Sequence, residues 1–206
     1  HRGGSSVNGK ATYAENSMPA FRAAARAGFT LELDVGVTAD GVPVVLHDAT
    51  LDRTTACTGP VNAVTLAQLR ACPNDIVGSP GGALGGRRSP KTTPIPTLAE
   101  VIALARRTGA TLNVELKDFD ADNSRIGKAL DVLAANPLPR GRLIVQSFFP
   151  PNLAFARTRL PGVQTSRLTL RATNEEGLKA AAKDGETWIS PQWPVTASYV
   201  RREHRA

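Results

Sequence analysis

The residues best suited to chemistry come in alternating pairs. Glu32 and Asp34 lie two apart in Leu31-Glu32-Leu33-Asp34-Val35, and in a β-strand that spacing puts both carboxylates on one face and Leu31, Leu33 and Val35 on the other. Like charges packed together are costly unless a cation neutralises them, and hard cations such as Mg²⁺ or Ca²⁺ favour oxygen ligands of this kind. A solvated edge strand with ordinary surface acids is the competing reading of that pair taken alone. The pattern returns at Asn113, Glu115 and Lys117, which share one face of a strand whose other face is Leu112, Val114 and Leu116. A third carboxylate from Glu115 and a phosphate-facing ammonium from Lys117 make both strands intelligible as one cation site. His47 ends the run Val42-Pro43-Val44-Val45-Leu46, where a parallel strand would deliver it to a catalytic face. Beside an acid-lined site, an imidazole that titrates near neutrality is suited to proton transfer. His204, among arginines, reads as exposed.

Holding these side chains together takes a parallel sheet. Short runs rich in Val, Leu and Ile alternate with helical patterns, as in a parallel sheet with covering helices. The pattern predicts strands at 30–35, 42–47, 111–117, 142–148, 163–168 and 187–190. Thr97-Leu98-Ala99-Glu100 has the capping-box pattern, with Leu98, Val101, Ile102 and Ala105 at helical spacing and Gly109 as the stop. Further helices are predicted from Ser17 to Gly28 with Pro19 in the first turn, from Asn174 to Gly185 with Glu175 and Glu176 at the positive end, and around Ile126, Leu130 and Leu133. The segment 73–96 is dominated by Gly, Pro, Ser and Thr and predicts a long surface excursion without periodic elements. Its glycines match neither a dinucleotide fingerprint nor a P-loop, so it is not expected to cradle phosphate. Phe148 and Trp193 follow late strands and are placed to line a substrate pocket, with core packing an equally common use of such aromatics.

A chain of 206 residues buries a sizeable core as one domain. Composition is ordinary for a globular protein, and no apolar run approaches the ~20 residues of a membrane-spanning helix. Twenty-five Lys and Arg against 18 Asp and Glu give +7, which favours anionic partners. Arg106, Arg107, Arg157, Arg159, Arg201 and Arg202 lack the interleaved aromatics of a single-strand binder, which argues against nucleic acid. The two cysteines, Cys57 and Cys72, are spaced for a disulfide worth ~3 kcal/mol in the chain-entropy model, and an exported protein would keep it oxidised. Two unrelated thiols is the alternative. A secreted or extracytoplasmic location follows from the disulfide.

Several of these residues fall within an ordered set of motifs: His1-Arg2-Gly3, Glu15-Asn16, Glu32-Leu33-Asp34-Val35, His47-Asp48, Leu51-Asp52-Arg53-Thr54-Thr55, Ile95-Pro96-Thr97-Leu98 and Asn113-Val114-Glu115-Leu116-Lys117. Each is short, but together and in this order they resemble the glycerophosphodiester phosphodiesterases over most of the chain. The one small departure is Ser17, where that family commonly has Thr. The resemblance implies an α/β fold of the TIM (β/α)8 type that binds one divalent cation, Ca²⁺ or Mg²⁺. Glu32, Asp34 and Glu115 are then its ligands, and Glu15 is a further polar residue in or beside the site. It also implies that His1 and His47 exchange protons with the attacking and leaving oxygens while Arg2 and Lys117 hold phosphate oxygens. The substrate is a small glycerophosphodiester, cleaved to an alcohol and glycerol 3-phosphate, with the glycerol 2-hydroxyl as a possible first nucleophile.

A TIM barrel has eight strands and usually ~250 residues, whereas six strands are predicted here, so more chain is expected before His1 and after Ala206. Two other functions fit part of the same pattern. A sphingomyelinase D-like phospholipase also uses two histidines and a cation, but the excursion at 73–96 and Glu15-Asn16 favour the glycerophosphodiesterase. A non-catalytic phosphate or lipid-headgroup module needs the cation and Arg2 but not two proton carriers.

Overall fold

The computed structural model describes residues 1–4, 6–7, 10–79, 86–117, 123–191 and 201. Trp193, Arg202 and His204 lie outside the described residues, as do residues 81–85 of the glycine run. In chain order the elements are β1 (Ser6–Val7), β2 (Lys10–Ala11), α1 (Met18–Arg26), β3 (Leu31–Val37), β4 (Pro43–Val45), a 3₁₀ turn (Val61–Ala63), α2 (Leu66–Arg70), β5 (Asn74–Gly78) and β6 (Gly86–Thr93). They continue with α3 (Leu98–Thr108), β7 (Leu112–Leu116), α4 (Ser124–Ala135), β8 (Leu143–Ser147), α5 (Pro150–Arg159), β9 (Gln164–Thr169), α6 (Glu175–Lys183) and β10 (Trp188–Pro191).

Six strands form one sheet in the order β10-β9-β8-β7-β3-β4. The neighbours from β3 to β10 are parallel, each pair joined through a helix, and together they form an arc of a (β/α)8-type barrel. On the helix-facing side Leu31, Leu33, Val35, Leu112, Val114, Leu116 and Val145 pack against Phe21, Val101, Ile102, Leu130 and Leu153 in one apolar cluster. Burial of this kind is the dominant stabilising term for such a layer. Period-2 spacing then forces the polar residues of the same strands to the inner face. Register does the rest, because Asp34 lies beside Glu115, Glu115 beside Gln146, and Gln146 beside Ser166.

The helix starts follow their capping residues. Ser17 Oγ accepts the Ala20 N–H ahead of α1, and Thr97 and Glu100 complete the reciprocal cap of α3, which stops at Gly109 in the left-handed region at φ 70°. Asn174 caps α6 by accepting from Gly177, with Glu175 and Glu176 in the first turn.

Three features differ from the sequence-based expectation. First, β4 runs antiparallel to β3, not parallel. Asp40-Gly41 closes a tight hairpin in which Gly41, at φ 79°, donates to the Thr38 carbonyl at 2.9 Å, far too short for the crossover that parallel pairing needs. The return strand brings Leu46 N–H onto the Asp34 carbonyl at 3.1 Å, so His47 emerges beside the carboxylates by a different route. Second, the excursion at 73–96 is not wholly aperiodic: β5 and β6 pair there as an antiparallel ribbon. Third, two helices are present beyond those expected, α5 with Pro150-Pro151 in its first turn and α2 with the Thr65–Gln68 capping box.

A second, smaller core of Val44, Leu46, Leu51, Val61, Leu69 and Ile95 lies under the 48–72 loops. Cys57 and Cys72 pack against it and form a disulfide with Cα atoms 5.8 Å apart.

Candidate active site

At the C-terminal ends of the parallel strands the inner face opens into a cleft of about 380 Å³. His1, Arg2, Glu32, His47, Glu115 and Lys117 line it, with Asn113, Gln146, Phe148, Leu168, Ser190 and Pro191 completing the walls. A larger hollow, about 660 Å³, opens at the opposite strand ends, and no carboxylate or histidine lines it. The chemistry therefore belongs to the smaller cleft, at the end where barrel enzymes carry their sites.

One ligand oxygen from each of Glu32, Asp34 and Glu115 comes within 4.8 Å of the others. Asp34 and Glu115 are buried, and Asp34 Oδ1 has no hydrogen-bond partner although the Lys117 ammonium lies 3.6 Å away. Burial first, and then the charge of Asp34, raise the Glu32 carboxyl despite the Arg2 N–H bonded to it. Burial also pushes Glu115 up to about 7, with Asp34 adding to the rise and Lys117, 3.3 Å from Glu115 Oε1, opposing it. Three converging hard oxygen donors, one with an orphaned lone pair, fit a hard divalent cation and suit neither a soft metal nor an organic cofactor.

Each carboxylate is aimed by a neighbour. Glu32 accepts the Arg2 backbone N–H at 2.5 Å and the Gln146 amide at 3.0 Å, and Gln146 in turn accepts from Asn113 at 2.9 Å. Asn16 donates to Asp34 Oδ2 at 2.8 Å. Of these orienting partners Arg2, Asn16 and Asn113 stand in the sequence motifs, whereas Gln146 was missed; its available signal was a lone amide in the apolar run Leu143-Ile144-Val145-Gln146.

The turn at His1-Arg2-Gly3 is shaped by close approach. Arg2, Gly3 and Gly4 all have φ between 48° and 75°, and a Cβ on Gly3 would come within 2.7 Å of the Phe21 ring. Gly3 N–H donates to the Glu32 carbonyl at 3.0 Å, which fastens this turn to β3. The Arg2 guanidinium then reaches Glu15 Oε1 at 3.1 Å and lies 3.6 Å from Asp34.

Glu15, expected as a further polar residue in or beside the site, is not one of the three converging carboxylates and meets the cleft through Arg2. It is 2% exposed and receives Arg2, both terminal nitrogens of Arg53, and the Ser79 hydroxyl. Burial opposes its ionisation, but the hydrogen bonds from Arg53 and Ser79 outweigh it and hold the carboxyl below its usual range. His47 Nδ1 meets Asp48 Oδ1 at 2.6 Å. Asp48 is held down at about 2 against its partial burial by hydrogen bonds from Arg53 and His47. Phe148 lines the cleft as expected and remains 40% exposed.

A carboxylate triad, two histidines and two cations thus share one cleft. The family model of the glycerophosphoryl diester phosphodiesterase family matches residues 1–205. The chain belongs to that family. A glycerophosphodiester phosphodiesterase of Bacillus altitudinis is 31% identical over 163 residues, covering 78% of this chain and 63% of that protein. Human glycerophosphodiester phosphodiesterase 1 is 36% identical over 118 residues, covering 57% of this chain and 32% of that protein. The chain therefore spans about a third of the length of the human and bovine relatives it matches.

Among solved structures of the family, one described as a putative glycerophosphoryl diester phosphodiesterase from Silicibacter pomeroyi superposes with a TM-score of 0.77 at 27% identity, covering 93% of this chain and 75% of that one. Another so described, from Agrobacterium tumefaciens, has a TM-score of 0.79 at 20% identity, covers 100% of this chain and 79% of that one, and attests the fold.

Proposed function

We propose that the cleft hydrolyses glycerophosphodiesters to an alcohol and glycerol 3-phosphate with a divalent cation, Mg²⁺ or Ca²⁺, held by Glu32, Asp34 and Glu115. The observation that carries the reading is the convergence of those three carboxylates within 4.8 Å in a cleft shared with His1, His47, Arg2 and Lys117. The relatives named as glycerophosphodiester phosphodiesterases support the substrate class.

A bound cation supplies Lewis-acid stabilisation to phosphoryl oxygens as negative charge develops on them. Lys117 and Arg2, already at the rim of the triad, take the remaining phosphate oxygens, and because that charge grows during in-line attack they bind the transition state more tightly than the ground state. His47, with Nδ1 on Asp48, offers Nε2 for proton transfer, and His1 is the second proton carrier. Phe148, Leu168 and Pro191 form an apolar wall for the non-phosphate part of the substrate.

The Cys57–Cys72 disulfide supports a location in an oxidising compartment. Among the described residues no helix is long and apolar enough to cross a membrane.

Phosphorus NMR of purified protein with glycerophosphocholine and Mg²⁺ or Ca²⁺ tests the reading. Glycerol 3-phosphate should accumulate, and a chelator should stop it. Absence of turnover with every glycerophosphodiester tried, while the cation still binds, would make the cleft a phosphate-binding module instead.

A further inference from the structure

The ion pairs beside the cleft form a chain whose central member, Arg53, has no role in the proposed chemistry. Arg53 sits in the loop after β4 and is not among the cleft-lining residues. Its guanidinium nevertheless grips two carboxylates at once. Nη1 and Nη2 reach the two oxygens of Glu15 at 3.0 and 2.6 Å, while Nε and Nη2 reach the two oxygens of Asp48 at 2.7 and 2.9 Å. Each carboxylate carries a hydrogen bond to a residue of the cleft: Glu15 Oε1 holds Arg2 at 3.1 Å, and Asp48 Oδ1 holds His47 Nδ1 at 2.6 Å. The chain runs Arg2, Glu15, Arg53, Asp48, His47.

We propose that Arg53 is a positioning residue that sets the His47 tautomer and fixes His47 relative to Arg2, through Asp48 and Glu15. The inference rests on the reading of His47 as proton carrier and Arg2 as phosphate holder. A carboxylate only accepts, so Asp48 requires the hydrogen on Nδ1 and leaves the Nε2 lone pair for the cleft. A free aspartate could rotate away from that bond. One bound at both oxygens by the same planar fork cannot, and only arginine has the fork, since a lysine ammonium is a point donor unable to span both carboxylates bidentately. Glu15, buried and held by Arg53, Arg2 and Ser79, anchors the far end.

The test labels histidine with ¹⁵N and follows His47 in the Mg²⁺-loaded protein at pH 8. The chain has three histidines, so a His47→Gln variant assigns the signal. In the unaltered protein His47 should be the Nδ1–H tautomer. Arg53→Met should shift it toward Nε2–H and lower kcat on glycerophosphocholine about 10–100-fold, the usual loss when the partner of a site residue is removed, and Arg53→Lys should not restore it. Asp48→Asn, which lets an amide N–H face Nδ1, should invert the tautomer and cost about 100-fold or more in kcat.

An unchanged tautomer, or an unchanged kcat, in folded Arg53→Met protein overturns the proposal. If that variant does not fold, Asp48→Asn decides by the same two readouts. The tautomer measurement needs no substrate, so an inactive unaltered protein would count against the proposed function while the NMR result still judged the role of Arg53.

Discussion

Removing the charge of Glu115 should stabilise the cation-free protein. Burial and Asp34 hold this carboxyl at about 7 rather than 4.5, so between those values the folded state keeps a proton that the unfolded chain has released. Stability therefore falls as pH rises from 4.5 to about 7 and levels off above it. A displacement of that size costs the fold on the order of 3 kcal/mol at pH 8. Glu115→Gln relieves most of this cost, which is already net of the contact with Lys117, so stability should rise by about 1–3 kcal/mol and the Tm by about 2–12 °C for a chain of this size. Calorimetry in chelator at pH 8 should show that increase, and it should vanish near pH 5, where the folded protein already holds the proton. Adding Mg²⁺ or Ca²⁺ should raise the Tm of the unaltered protein and barely move that of Glu115→Gln. A variant less stable than the parent in chelator at pH 8, or equal stabilisation of both proteins by the cation, would refute the reasoning.

Three other perturbations separate the parts of the site. His47→Ala should abolish turnover while isothermal titration shows cation affinity nearly unchanged; lost affinity would make His47 a ligand. Gly3→Ala forces a Cβ to within 2.7 Å of the Phe21 ring at a φ of +75°, so it should lower stability by about 1–3 kcal/mol and turnover with it, measured by urea denaturation and the phosphorus assay. Replacing Cys57 and Cys72 by Ser should lower stability by ~3 kcal/mol, the entropy of opening that loop, and Tm measurements with and without reductant on parent and variant check it.

The carboxylate half of the site was legible because strands enforce period 2. Glu32 with Asp34, and Asn113 with Glu115 and Lys117, could occupy one polar face only if the leucines between them faced a core, and parallel register set the two groups side by side. Local caps at Ser17, Thr97 and Asn174 were equally plain, since a cap is a contact over three residues. What spacing could not express was the direction of β4, decided by the hairpin at Asp40-Gly41. Nor could it express the ribbon at 74–93, where pairing supplies what a sequence rich in Gly, Ser and Pro does not advertise. Arg53 and Glu15 are 38 residues apart, and Gln146 and Glu32 are 114 apart, so those bonds exist only once the sheet and its loops have closed. Glu15 holds the two arginines and is not one of the three converging carboxylates, a distinction its short motif could not express.

Anomalous diffraction from a crystal grown with Mn²⁺ and glycerol 3-phosphate tests the central claim most directly. The account predicts one cation peak ligated by Glu32, Asp34 and Glu115, with the phosphate between that peak and the side chains of Arg2 and Lys117. A cleft without a peak, or a cation bound instead by Glu15 and Asp48, would contradict it.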